Sequence, residues 1–516
     1  MTALAVALAL LAGGNLHGLR VSNGSRPFAG DGRLVTTVSP NGDGFRDRAI
    51  VSFRLDRRAV VRLDVLRTDT LHPGRATKTI WSATRRFGPG RRQIVWRPAR
   101  TTEPRTYVLR LRVGARTYMN WPGLRPEVPV VRIQGIEVSF PHRSYAPGEQ
   151  AVLRLATDAR KLRLQVFYYS SQLGPRQRDF KTAGTAMTQP VSLDWRGHRD
   201  APGQLLFIRA GDWPSGLYFL RVTGGDGRVG YAPFVVTRRT LRSRVAVVLS
   251  TNTWQAYNFW DANGDGWGDS WYVGGATVSV GLTRPFLDFG VPYRFRDWDL
   301  DFIAWLNRTG RRADFLSDDD LAAFRTGDEL AAAYDLVVFP GHAEYVTEHA
   351  YDVVERYRNV GGNLMFLAAN NFFWKVRRDG NRITRVAHWR RLGRPEAGLV
   401  GVQYAASDYG ARQAGYVAHT SAAPWAFAGT GLADGERFGQ YGVEIDARAA
   451  SSPPGTKVLA SIPDLMGPGR TAEMTYYETP AGARVFAAGA LNFAASIGDP
   501  KVSQLVENVW TRLSRP

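Results

Sequence analysis

Three side chains able to move protons or bind a metal stand together in Gly341-His342-Ala343-Glu344-Tyr345. An imidazole, a carboxylate and a phenol this close could do general acid–base chemistry or ligate a hard cation. They follow Tyr334-Asp335-Leu336-Val337-Val338-Phe339-Pro340, an apolar run that predicts a buried parallel strand. Open α/β sheets bind ligands at the carboxyl ends of such strands. His342 and Glu344 are the candidate catalytic acid and base; the alternative is a polar loop in which they only bond a neighbour and cap the next helix. Asn370, past the following apolar run, could donate to a carbonyl oxyanion. It reads equally as a turn residue tolerant of positive φ.

Two other stretches carry oxygen ligands at calcium-like spacing. Asp261-Ala262-Asn263-Gly264-Asp265-Gly266-Trp267-Gly268-Asp269 places Asp261, Asn263, Asp265 and Asp269 where the first part of a calcium loop has its donors. Tyr272 stands where an EF-hand needs Glu, so this is no EF-hand. In Ser39-Pro40-Asn41-Gly42-Asp43-Gly44-Phe45-Arg46-Asp47, the donors would be Asn41, Asp43 and Asp47. For both, the alternative is an Asx-rich turn without metal. The first lies in an aromatic segment in which Trp254 and Tyr257, with Asn258, are the expected substrate contacts. Packing would use the same rings.

The elements that must position these residues change character along the chain. From 30 to 132, and again from 133 to 240, apolar residues recur at period two. Tyr107-Val108-Leu109-Arg110-Leu111-Arg112-Val113 and Leu217-Tyr218-Phe219-Leu220-Arg221-Val222 look like one closing strand used twice. Two immunoglobulin-like sandwiches in tandem are expected. From 241 to 516, apolar strands alternate with helical patterns, among them Glu348–Asn359 and about 501–513. That alternation predicts an α/β domain with a parallel sheet covered on both faces. The layout is compatible with a class I glutamine-amidotransferase-like sheet. Residues 1–20 begin with the apolar run Ala3–Ala12, which matches the h-region of a secretory signal or forms a short anchor. A secreted or cell-surface location is expected.

Composition sets limits. The 516 residues, 44% hydrophobic and 22% charged, are too many for one ordinary core and describe a globular chain. The absence of Cys excludes disulfides, thiolate metal sites and a Cys nucleophile. No G-x-S-x-G supports serine chemistry. The net charge of +21 comes almost wholly from arginine, with only six lysines. The arginines are spread over all three regions without a nucleic-acid motif, so specific nucleic-acid binding is not expected. Association with an acidic cell-envelope surface is compatible with the charge.

Ordered blocks over residues 244–516 resemble the large (beta) subunit of N,N-dimethylformamidase and its relatives. They are Thr253-Trp254-Gln255-Ala256-Tyr257-Asn258, Trp305-Leu306, Ser317-Asp318-Asp319-Asp320-Leu321, Gly341-His342-Ala343-Glu344-Tyr345, Gly361-Gly362-Asn363-Leu364-Met365-Phe366-Leu367-Ala368-Ala369-Asn370, Trp374-Lys375-Val376-Arg377 and Ala488-Gly489-Ala490-Leu491-Asn492-Phe493. The Ser39–Asp47 turn is similar to that of FlgD-like immunoglobulin domains of bacterial surface proteins. The first resemblance implies hydrolysis of carbon–nitrogen (amide-type) bonds at a mononuclear iron held by two tyrosines and a glutamate. Tyr345 matches one ligand tyrosine. Asp301 stands where the other is expected, and His388 is the nearest donor where the glutamate should be, with Glu396 further on. Asp301, Tyr345 and His388 would then form a metal site of another character, with iron or another metal, or the metal has been lost. The expected function is an exported amidohydrolase acting on a small molecule or polymer, in an assembly of the kind such relatives form. The rival is a non-catalytic surface or carbohydrate-binding protein on a degenerated amidase scaffold.

Overall fold

Alternating strands build the first half of the chain. The computed structural model describes residues 16–68, 77–169, 184–201, 203–237, 240–272, 277–287 and 289–515. The apolar run Ala3–Ala12 therefore lies outside the described residues. Ala49–Leu55 buries every second residue and pairs with Leu16–Ser22 and Gly90–Trp96. This three-stranded sheet faces a six-stranded one that includes Ala59–Arg67 and Arg105–Val113. A second sandwich repeats the plan with Gln150–Ala156 in one sheet and Lys161–Tyr168 and Gly216–Gly224 in the other. Each encloses its own apolar core. The two closing strands match in detail. Tyr107 Oη donates to the Glu103 carbonyl at 2.9 Å, and Tyr218 Oη to that of Pro214 at 2.8 Å. Such a tyrosine corner pins a strand entry in immunoglobulin-type sandwiches.

The second half is organised by a nine-stranded sheet. Asp314–Ser317, Val245–Leu249, Leu336–Phe339, Asn363–Phe366 and Arg484–Ala487 run parallel, in that spatial order. Val245–Leu249 and Leu336–Phe339 are buried on both faces, which explains their unbroken apolar sequence. Val247 and Val338 look into one core, and Val248 and Val337 into the other. Helix Glu348–Asn359 packs on the second face and Pro500–Leu513 on the first. The sheet continues differently from the expected parallel pattern. Ala472–Glu478, Lys457–Ile462, Gln413–Ala418 and Arg437–Gly442 extend it antiparallel. Lys457–Ile462, Ala472–Glu478 and Arg484–Ala487 follow one another through short connections without helix, which is all that antiparallel neighbours need, whereas Gln413–Ala418 and Arg437–Gly442 are joined through the short helical segments Thr420–Ala422 and Pro424–Phe427. Strand outweighs helix over the molecule as a whole.

The Asp261–Asp269 loop reaches from this second half onto the first sandwich. Thr68 Oγ1 donates to the Gly266 carbonyl at 2.8 Å, Asn120 Nδ2 to that of Asp265 at 3.0 Å, and Trp267 Nε1 to that of Asn120 at 3.1 Å. A Cβ at Gly266 would run into Val108, so glycine permits the approach. The second sandwich is tied in through Tyr168 and Asn307, 2.9 Å apart, and through Ser144 and Asp320, 2.8 Å apart.

Candidate functional site

Three of the parallel strands end at one place. Leu336–Phe339 delivers Pro340–Tyr345 at its carboxyl end. Gly341 is required there, because a Cβ would collide with the Asp299 carboxylate. Val245–Leu249 runs into the short helix Thr251–Ala256, whose last turn presents Tyr257. Asn363–Phe366 ends in a turn where Asn370 takes φ of 54°. Beside them lies the strand Glu444–Ala447, which pairs with Gln403–Ser407. It is entered through Val443 at φ of 69°, a conformation that costs a β-branched residue free energy and that persists mainly at functional sites.

These ends bring Tyr257, His342, Glu344, Tyr345, Asn370 and Glu444 into one buried cluster, each no more than 8% exposed. Tyr257 Oη donates to Glu344 Oε2 and lies 2.9 Å from His342 Nε2. The Tyr345 phenol also reaches the Glu344 carboxylate. His342 Nε2 is 3.3 Å from Glu344 Oε2 and 3.9 Å from Glu444 Oε2. Its Nδ1 lies 3.0 Å from the Ala369 carbonyl, which can only accept, so Nδ1 carries a proton and Nε2 faces the acids. Asn370 Nδ2 bridges the two glutamates, 2.9 Å from Glu444 and 3.4 Å from Glu344. Its backbone N–H is held by Asp446 at 2.8 Å.

The electrostatics follow from burial and from negative neighbours. Burial lowers the His342 pKa, but the Glu344 hydrogen bond and the Glu444 charge outweigh it and lift the imidazole to about 9. Burial, then the Glu344 charge, pushes both phenols well above the usual tyrosine range. Burial raises Glu444, against the pull of His342. Asp446 rises to about 7 by burial, opposed by the Asn370 N–H. Asp299 rises to about 7 by burial, against the Trp254 indole N–H and His342. The site therefore holds a protonated imidazole among carboxyl groups of unequal proton affinity, a pattern that separates acid from base.

The structure brings His342, Glu344, Tyr345 and Asn370 together. It gives Asn370 another part: its amide donor is taken by two carboxylates rather than left for an oxyanion. Its Oδ1 is buried without a partner among the described residues. Tyr257 belongs to the cluster itself. Trp254 instead donates to Asp299 at 3.3 Å and packs edge-on against Phe295. Asn258 is used up by Gln255, the Pro285 carbonyl and the Leu287 N–H. The trio Asp301, Tyr345 and His388 is not gathered around one point. His388 and Tyr345 share a register row but lie two strands apart, with Trp374 between them. The His388 ring packs against Phe373 and Trp374 at 4.2 and 4.0 Å. Asp301 opens the helix Leu300–Arg308 two positions beyond the buried Asp299, which puts it about 200° round the helix from that carboxylate.

In the calcium-like loops the side-chain oxygens accept from backbone N–H groups. Asp261 accepts from the N–H of Gly264 and Gly266, Asn263 from Asp265, Asp265 from Trp267, and Asp269 from Ala262. Asp47 accepts from Gly42 and Gly44, Asn41 from Asp43, and Asp43 from Phe45. Arg199 adds its guanidinium to Asp43 at 2.5 Å, where a cation would compete with it. Among the described residues, no three His, Asp or Glu side chains form a metal cage. Glu444 and Asp446 join the site without a motif around them. Their signal was available: two acids flanking Ile445 at strand spacing share one face, and both are buried.

A mixed phenol, imidazole and carboxylate cluster at the carboxyl end of parallel strands defines the class of the site. The model of the family described as "N,N-dimethylformamidase beta subunit-like, C-terminal" matches residues 204–505, more than half of the chain, and the chain belongs to that family. The N,N-dimethylformamidase beta subunit of Paracoccus aminophilus is 27% identical over 282 residues, 42% of this chain and 36% of that protein. That of an Alcaligenes species is 26% identical over 279 residues, 41% of this chain and 36% of that protein. The matched stretch thus spans about a third of the length of these relatives. Among solved structures, Escherichia coli alpha-2-macroglobulin aligns with 43% of this chain and 16% of its own at 9% identity and a TM-score of 0.23. The Yersinia pseudotuberculosis adhesin InvE covers 43% of this chain and 60% of its own at 14% identity and a TM-score of 0.15.

Proposed function

We propose that this protein hydrolyses the carbon–nitrogen bond of small amides. The observation that carries the reading is the buried meeting of Tyr257, His342, Glu344, Tyr345 and Glu444 at the strand ends. Burial restricts the substrate to a small one. Glu344 accepts the proton of the attacking water. His342, protonated at neutral pH, gives its Nε2 proton to the departing amine as the C–N bond breaks, and the proton that Glu344 took from the water, 3.3 Å away, replaces it. The products are then a carboxylic acid and an amine. Asn370 holds the glutamates together and offers its unpartnered Oδ1 to an amide N–H or a water.

The implied iron fits the donors present, though not the expected set. Tyr257, Tyr345 and Glu344 would hold it, three oxygen donors of the hard type that suit Fe(III). When bound, it would polarise the amide carbonyl and acidify a water. We also read the parallel half of the sheet as glutamine-amidotransferase-like. In that reading Asn370, at its left-handed turn, stands where such enzymes carry a nucleophilic Cys, and attack falls to water.

The test is amine release from a panel of N-alkylated formamides and acetamides, by wild type and Glu344→Gln, with iron measured in both. Turnover that Glu344→Gln abolishes supports the reading. Amide binding without turnover, at full iron loading, would move the protein to the rival binding role.

A further inference from the structure

We propose that the outer face of the first sandwich is a binding groove for an acidic polysaccharide. A groove of about 1040 Å³ opens along the sheet formed by Leu16–Ser22, Ala49–Leu55 and Gly90–Trp96 and reaches round to residues 86–88, where the strand Lys78–Phe87 of the facing sheet ends. Arg20, Arg54, Arg86, Arg91 and Arg92 line it, and no acidic side chain does. None of the five has an ion-pair partner among the described residues. Arg92 bonds only backbone carbonyls, those of Gly88, Pro89 and Arg91. The nearby Asp56 is engaged by His17 at 2.6 Å.

The register makes the arrangement costly for the fold alone. Arg54 stands directly opposite Arg91, and like charges in that position weaken a strand pair. Local rules broken without compensation mark functional surfaces. The next row outward-facing on the same strands is Arg20, Ser52 and Gln93. The Arg54–Arg91 row is therefore followed, about 7 Å along the strands, by a row of one guanidinium, Arg20, and two neutral hydrogen-bonding side chains, Ser52 and Gln93. Carboxylates along a sugar chain would pair with the arginines, and the hydroxyls between them with Ser52 and Gln93. Single-stranded nucleic acid requires stacking rings. Here Phe53 is buried and Phe87 half-buried, tied together edge-on at 5.7 Å. A membrane would meet a flat or convex face, whereas this one is concave.

The experiment measures binding of the full chain to polygalacturonate, neutral dextran, oligo-dT and phosphatidylglycerol vesicles. Polygalacturonate should bind and dextran should not. Affinity should fall about tenfold between about 50 and about 200 mM NaCl, as expected for charge neutralisation. Arg54→Thr/Arg91→Thr places a favourable Thr pair across the strands, so the variant should melt no lower than wild type while losing about tenfold in affinity. Arg308→Glu/Arg470→Glu, on exposed positions of the other half, should change affinity less than about twofold. Equal losses in the two variants, or tighter binding of oligo-dT or vesicles than of polygalacturonate, would overturn the proposal.

Discussion

Glu344 is the residue on which the cluster turns, since both phenols and the imidazole meet its carboxylate. Glu344→Gln keeps the shape and removes the charge, so amide turnover should fall by at least about a hundredfold. It also removes what most opposes burial at His342. The imidazole, held protonated up to about 9, should then lose its proton at lower pH. The alkaline limb of the pH–rate profile, followed on residual activity, should move down in Glu344→Gln; an unmoved limb would remove His342 as the proton donor. Val443 makes a different case. Its left-handed backbone strains a β-branched residue by about 1 kcal/mol or more, and that strain aims Glu444 inward. Val443→Gly should therefore cost less than about 1 kcal/mol in urea unfolding, because relief of strain offsets the lost packing. Turnover should still drop, since Glu444 is then less firmly held. A loss of several kcal/mol would show that the Val side chain, not the backbone, matters here.

At the scale of elements, strands buried on both faces and capped helices were readable, and long-range docking was not. Helix Glu348–Asn359 occurs where its pattern placed it. Thr347 caps its start, and Gly361 and Gly362 follow its end. The antiparallel extension from Gln413 to Glu478 was missed, because short half-buried strands carry a weak period and pair with partners far along the chain. The Asp261–Asp269 loop was read for its ligand spacing. In the structure it is a clamp between two parts of the molecule, organised by its own backbone amides. Asn120 is the hinge of that clamp. Besides Asp265, its amide holds the Val128 carbonyl and the N–H groups of Glu127 and Val128. Asn120→Ala should destabilise the protein by about 2 to 3 kcal/mol through unpaired buried groups. Asn120→Asp should recover part of this, since it keeps the acceptor. Equal melting temperatures for wild type and Asn120→Ala would dismiss the clamp.

Over the whole molecule, buried acids set the response to pH. Asp261, Asp299 and Asp446 are each raised to about 7 in the folded state, mainly by burial. A raised pKa gives stability that is complete below the unfolded value of about 4 and is lost as pH climbs through the folded value. His342 acts in the same direction, its contribution being lost between about 6.5 and about 9. Asp64 and Asp226, whose pKa values are lowered despite burial by hydrogen bonds from Arg62 and Arg228, favour the fold only once pH exceeds their unfolded range. The melting temperature should therefore peak near pH 4, fall between about pH 4 and 7 as the unfolded chain alone gives up these protons, and fall further to pH 9 through His342. A flat profile from about pH 4 to 7 would mean that another positive charge neutralises these acids. Local pattern sufficed for the sandwich strands, the parallel strands, the helix that follows Tyr345 and the placing of His342, Glu344 and Tyr345 at a strand end. Each depends on residues within about one turn or strand, so period and cap residues encode it. Only the tertiary structure brought Tyr257, rather than Asp301, to the Glu344 carboxylate and Glu444 beside His342. It likewise turned the acidic loops inward onto their own amides. Those outcomes depend on which strand ends meet and on strained turns at Asn370 and Val443, distances that no local spacing records.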